Sequence, residues 1–385
     1  MKCYRSMQVL ALCTLGIMSA WSVHATNLKT AYTFLGGSDG WDSGAPLIEL
    51  GGLLYGTTGF GATTGYGTVF EFNPVTRVET VLHSFTGGSD GAVPIAGLTF
   101  YDGNVYGTTT AGGSSDAGTV FKINLATGDE TVLYSFAGGT DGRGPYGGLI
   151  YYNGSFYGDT EYGGTTEKGI IFRIDAVTGA ETVIYRFGGE PDGIQPMGNL
   201  VYYSGKLYGI TEYAGSAGLG IVFAIDLSTG AETILHSFAG GNDGAYPEGR
   251  LIEHDGKLYG TTDIGGTADQ GTVFKIDPAT GGETVLYSFA GEPDAGYPYA
   301  GVTFFGGKLY GSTISGGLTN WGAVFSLDLA SGKEKVLGSF VQPDTGALLG
   351  AQPAAELFYY NGELYGTTTI GGDAIGGTIF RANID

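Results

Sequence analysis

A five-residue string, Leu-Tyr-Gly-Thr-Thr or a near variant, recurs seven times along the chain, with its tyrosine at Tyr55, Tyr106, Tyr157, Tyr208, Tyr259, Tyr310 and Tyr365. The first five steps are 51 residues and the last is 55. A fixed period of this length marks a repeat architecture: one supersecondary unit cannot bury its own apolar face, so copies are added until neighbours cover each other.

The second copy shows what the unit is. Gly97 to Tyr101 is a short apolar run, Asp102-Gly103 is a turn pair, and Asn104 to Thr109 is a second β-rich run. A glycine-rich stretch leads to a third run, Gly118 to Asn124, and Ala126-Thr127-Gly128 to a fourth, Glu130 to Phe136. No segment has helical length and periodicity. Each copy therefore reads as a four-stranded antiparallel meander, with strands a, b, c and d. The a–b turns carry Asp-Gly, Asn-Gly or Ser-Gly, which tolerate the positive φ of a tight hairpin. The c–d turns, such as Asp175-Ala-Val-Thr-Gly179, place an aspartate where it can accept a backbone N–H two residues on. The 74 glycines are turn and close-packing chemistry in this reading.

Phenylalanines fix the topology. The c-strand set runs from Phe70 to Phe380 and the d-strand set from Phe34 to Phe340, seven of each. The d set starts before the first a strand, and the last copy lacks a d strand. A ring that lends its first strand, Leu28 to Phe34, to its last blade explains the offset, and such closure removes free sheet edges. The expected fold is all-β, a seven-bladed β-propeller of four-stranded blades, occupying residues 26–385 as one domain.

With the unit Leu-Tyr-Gly-Thr-Thr, Gly-Gly, Gly-Thr-Val-Phe, Asp-x-x-Thr-Gly, Glu-Thr-Val-Leu-x-Ser-Phe in view, the chain resembles the GloVer-type tandem-repeat proteins over essentially its whole length after residue 25. That resemblance implies an exported bacterial propeller-like array and carries over no catalytic residues. The diglycine after strand b and the Asp-x-x-Thr turn also look kelch-like, without the kelch tryptophan.

The N-terminus reads as an export signal, with Lys2 and Arg5 ahead of an apolar stretch and small residues at Val23-His24-Ala25, so residues 1–25 are expected to be removed. Both cysteines, Cys3 and Cys13, lie in that segment, which leaves the propeller to stand on packing and ladders without disulfides. No later apolar run reaches spanning length, and an extracellular or periplasmic protein is expected. Loss of Lys2 and Arg5 takes the formal charge from −21 to −23. Such a charge repels nucleic acid and leaves neutral or cationic partners, a polysaccharide or a cell-surface protein.

In such a ring the d–a and b–c connections share one face, and the long glycine-rich loops place any ligand site there. The candidates are the positions that break the repeat. Blade three has Asp159, Glu161 and Tyr162 after its string, blade four Glu212 and Tyr213, blade five Asp263. Acids beside aromatics suit sugar binding, and an acid pair at the right separation suits glycosidic chemistry. Before strand a, where small residues dominate, Asn199, Arg250 and Glu356 stand out, with Glu248 close to Arg250; an Arg–Glu pair there would orient a ligand or plug the channel. Trp321 shares a b–c position with Tyr66 and would stack on a ring or cover a blade. A repeated loop aspartate (Asp39, Asp90, Asp141, Asp192, Asp243, Asp294) raises Ca²⁺, but one carboxylate per loop falls short of roughly six to eight oxygens, so a turn role is preferred. No transition-metal cluster, Ser-His-Asp set or phosphate loop is present, and no cofactor is expected. The resulting expectation is a non-catalytic glycan- or polymer-binding propeller, with a carbohydrate-active lyase or hydrolase and a structural envelope component as rivals.

Overall fold

The computed structural model describes residues 27–341, 350–372 and 376–384. The expected signal segment and its cleavage point lie outside the described residues. Seven four-stranded antiparallel sheets are arranged as seven blades, each a meander in the order a, b, c, d. Blade 2 is typical: Thr99–Tyr101, Asn104–Thr109, Thr119–Asn124 and Glu130–Ser135. In the seventh, Leu28–Thr33 pairs with Thr378–Asn383 as the missing d strand, from Leu28 opposite Ala382 to Thr33 opposite Thr378. The ring is closed by its N-terminal strand, as the phenylalanine offset requires.

The turn chemistry is as the residues dictate. Asp102, Asn153, Ser204, Asp255 and Asn361 all take positive φ, between 46° and 51°. Asp175 Oδ1 accepts the N–H groups of Val177 and Thr178.

The core lies between blades. Each d-strand phenylalanine meets the c-strand phenylalanine of the next blade edge to face: Phe85 on Phe121 at 5.0 Å, Phe187 on Phe223 at 5.2 Å, and, across the closure, Phe340 on Phe380 at 4.9 Å and Phe34 on Phe70 at 5.3 Å. This is the favoured quadrupole geometry. It also explains the glycine inside the repeated string. A Cβ on Gly209 would stand 2.5 Å from Phe223 Cζ, and one on Gly107 2.6 Å from Phe121 Cζ. The c-strand ring lies flat across strand b only because that residue has no side chain.

Two polar links join neighbouring blades as well. The threonine after the string's glycine reaches the next blade: Thr57 Oγ1 donates to the Ala96 carbonyl at 3.1 Å, Thr108 to Gly147 at 3.1 Å, and Thr367 to Ala45 at 3.1 Å, across the seam. On the outside, the repeated loop aspartate locks its own loop to the preceding d strand. Asp141 accepts from Tyr134 Oη and from the Ala137 N–H, both at 2.6 Å. His236 Nε2 lies 3.0 Å from Asp243, and His83 Nε2 3.5 Å from Asp90, so these histidines do more than fill space. A d-strand glutamate of the next blade sits behind each aspartate: Glu79, Glu130, Glu181, Glu232, Glu283 and Glu334 each keep a buried Oε1 without a hydrogen-bond partner. Burial, then the neighbouring aspartate, pushes the first five up to about 7 and Glu334 to about 8. At the last junction Gly338 and Leu28 stand where the tyrosine and the glutamate stand elsewhere, and a Cβ on Gly338 would lie 2.5 Å from Leu28 Cγ.

Three outcomes follow. Gly209→Ala drives a methyl into the Phe223 ring and lowers stability by about 1–3 kcal/mol in urea unfolding, the usual cost of overpacking. Deletion of Ala31 to Gly37 bares the edge of the seventh blade and is expected to lower the melting temperature and bring aggregation; unchanged melting counts against closure by this strand. The six glutamates hold protons in the folded protein at pH values where the unfolded chain has lost them. The folded state is therefore favoured at low pH, and the melting temperature falls as pH rises from about 5 to about 8. A flat profile over that window contradicts the buried Asp–Glu pairs.

Candidate functional site

The d–a and b–c loops do share a face. Isolated bridges tie them together within a blade, Trp41 to Phe60, Ala92 to Ala111, and Arg143 to Tyr162. In blades 4 and 5 this tie grows into regular ladder. Their a strands lengthen to Ile194–Tyr203 and Ala245–His254, against b strands Lys206–Tyr213 and Lys257–Ile264. Each long strand is broken by a register shift, around Gly198 and Gly249, which take φ of +80° and +67°. A Cβ on Gly198 would lie 2.5 Å from the Gly249 carbonyl oxygen, and one on Gly249 2.1 Å from the Gly301 nitrogen. Backbones of adjacent blades thus touch at the channel throat, which needs glycine there.

Above this throat, on the ring axis, is a bowl of about 340 Å³. Every blade contributes to its wall from the residues just before strand a. The expected row is there: Asn199, Arg250 and Glu356 line the bowl with Pro46, Gly97 and Gly301. Arg250 pairs with Glu356, not Glu248: Nη2 to Oε2 is 3.0 Å, and the Arg250 N–H donates to Oε1 at 3.1 Å. Glu356 reaches blade 5 past Gly301, where a Cβ would stand 2.8 Å from its Oε1. Burial holds its carboxyl above the usual range, with Arg250 opposing. Asn199 Oδ1 accepts the Gly148 N–H, so this residue braces blade 3.

A second row, two residues earlier, shapes the bowl more strongly: Gly44, Ile95, Tyr146, Met197, Glu248, Tyr299 and Ala354. Tyr146 and Tyr299 went unnoticed in the sequence, although this row varies more between copies than any flanking strand position, and that variation was the available signal. The two phenols lie within hydrogen-bonding reach of each other, and both are pushed up, chiefly by burial and then by the charge of Glu248. Glu248 is only 7% exposed. Burial, then the charges of Glu212 and Asp263, push it up to about 9, so it is a neutral acid at neutral pH.

The acidic sector is only partly assembled. Glu212 and Asp263 share their field with Glu248, and burial raises Asp263, whose Oδ1 is enclosed without a partner. Tyr213 sits beside Glu212, which with burial pushes its phenol to about 12, and its ring meets Tyr246 at 5.6 Å. Glu161 and Tyr162 both bond Gln195 Nε2, at 2.8 and 3.1 Å, and Arg143 caps the Tyr162 ring at 4.5 Å, so this group is a rim contact. Asp159 stands apart from it. It occupies the inter-blade threonine's place on strand b, is 1% exposed and fully enclosed, and burial raises it well above the usual carboxylate range while the Gly147 N–H opposes. Trp321 packs against the core between blades 6 and 7, outside the bowl wall. The loop aspartates are occupied in their turns. Among the described residues one group brings three potential metal ligands together, His236, Asp243 and Glu283, and it is one of the six inter-blade sets described above.

Solved structures similar to this chain are propellers of several occupations. An oligogalacturonate lyase in complex with manganese matches with a TM-score of 0.58 and 13% identity over 90% of this chain and 89% of that one. An oligogalacturonate lyase from Vibrio parahaemolyticus matches with a TM-score of 0.54 and 11% identity over 90% of each. The extracellular domain of a proposed hybrid two-component system from B. thetaiotaomicron matches with a TM-score of 0.60 and 12% identity, over 90% of this chain and 41% of that one. At such identities the likeness is one of fold. No curated protein matches in sequence. The model of the Gloeobacter/Verrucomicrobia repeat matches residues 13–158 and 137–306, well over half of the sequence, and the chain is a member of that repeat family.

Proposed function

We propose that this is an exported binding propeller that receives a glycan in the bowl over its channel. The observation that carries the reading is the wall of that bowl. Two tyrosines, Tyr146 and Tyr299, stand with Ile95 and Met197 as apolar surface, and Glu248, Asn199 and Arg250 supply convergent polar groups. A concave, mostly apolar site with a few placed polar groups is the usual form of a small-ligand site, and a hexose offers both an apolar ring face and hydroxyls. The volume suits one or two sugar rings. The rim groups Glu161–Tyr162 and Glu212–Tyr213 would meet the continuing chain. The expected N-terminal signal would place this encounter outside the cytoplasm.

A specific observation favours catalysis as a second reading. Glu248, protonated at neutral pH beside two phenols, has the form of a general acid. The substrate would differ from that of the oligogalacturonate lyases, because an acidic bowl repels uronate chains.

A panel of immobilised neutral, acidic and amino polysaccharides tests both. Retention on at least one is expected. Tyr146→Ala and Tyr299→Ala are each expected to weaken it at least about tenfold, the size of one lost well-packed contact, with melting temperature unchanged. Glu161→Ala and Tyr162→Ala on the rim weaken it less. No retention across the panel removes the binding reading. New reducing ends on incubation, lost in Glu248→Gln, would establish the second.

A further inference from the structure

The ring gives Glu248 no partner of its own among the described residues, and its carboxyl is held neutral in the bowl. Glu248 lines it, is more than nine-tenths buried, and receives neither a hydrogen bond nor an ion pair from any described residue. Asp42 also lines it, and Glu212 and Asp263 act on Glu248 from the ends of the b strands of blades 4 and 5. The cation in the wall, Arg250, is committed to Glu356 at 3.0 Å. A buried carboxyl without a partner is costly, and a scaffold repeated seven times offers small residues at the same position in other blades, Gly44 and Ala354 among them.

We infer that the bowl selects a sugar carrying a free ammonium group, a 2-amino-2-deoxyhexose as found in de-N-acetylated hexosamine polymers, with Glu248 as the counter-ion and the tyrosine pair as the surface beside it. This rests on the glycan-binding reading and names the class of glycan. An ammonium supplies hydrogen-bond donors and positive charge together; as it enters, the Glu248 carboxyl gives up its proton to solvent and pairs with it, and an aromatic face attracts the cation further. A metal ion fits less well. Glu248, Glu212 and Asp263 do not bring their oxygens to common ligand distance, whereas His236, Asp243 and Glu283 do. An anionic sugar meets repulsion from every acid named. An N-acetylated unit offers no charge to Glu248.

The test is titration calorimetry of the protein with a glucosamine hexamer, an N-acetylglucosamine hexamer and hexalysine. The glucosamine hexamer is expected to bind at least about tenfold more tightly than its N-acetylated counterpart. Glu248→Gln should bring the two to near parity, chiefly by weakening the glucosamine hexamer. That variant removes an unpaired buried acid and should melt no lower than the parent; Asp263→Asn provides a second, milder reduction of the preference. Equal or reversed preference between the two hexamers overturns the ammonium inference and leaves the glycan reading standing. Hexalysine binding as tightly as the glucosamine hexamer overturns it in favour of a peptide amine. Binding of none of the three defeats this inference, and the polysaccharide panel separately decides the reading beneath it.

Discussion

The ring rests on one contact made seven times: a d-strand phenylalanine set edge-on against the c-strand phenylalanine of the next blade. Everything near it is arranged to permit it. The c-strand ring can turn toward its neighbour because strand b carries glycine beneath it, with no room for a methyl at Gly56, Gly158 or Gly260. The closing strand takes part too: Phe34 meets Phe70 at 5.3 Å, against 4.9 to 5.2 Å for the other six pairs. The insistence of Leu-Tyr-Gly-Thr-Thr is thereby explained. Its tyrosine is buried between blades, its glycine accommodates the ring, and its first threonine ties one blade to the next.

Such a scaffold tolerates change only where blades do not depend on it. Asp159 and Ile210 replace the inter-blade threonine in blades 3 and 4, and the same sector lengthens its a strands around Gly198 and Gly249. The wall above the throat carries longer side chains on this side of the ring. Tyr146, Glu248 and Tyr299 come from blades 3, 5 and 6, and their joint character belongs to no single repeat.

Buried acids serve two ends in this protein. Around the outside, each unpaired glutamate oxygen faces an aspartate already held by a tyrosine or histidine and a backbone N–H, and protonation of the glutamate makes each pair tolerable. In the bowl Glu248 has no such companion, only other acids at a distance. The difference lies in surroundings: the outer pairs lie between blades with only one oxygen of each glutamate enclosed, whereas Glu248 lines a bowl that a ligand can fill.

Much of this was legible in the residues. The period, the turn pairs and the two phenylalanine sets sufficed for seven blades, four strands each, and closure by Leu28–Thr33, because strand alternation and hairpin geometry are local and the repeat states them seven times. They also placed Asn199, Arg250 and Glu356 on the axis. Which side chains meet across the ring was beyond them. Arg250 pairs with Glu356, 106 residues away, instead of Glu248, two residues away, since the curvature of the ring brings blade 7 within reach of blade 5. Asp159 and Glu161, adjacent in a list of acids, part company because one lies within the strand and the other beyond its end. The sequence by itself determined the frame, through spacing that any extended chain must obey. Only the tertiary structure decided the site, because convergence on an axis depends on the radius and tilt of all seven blades together.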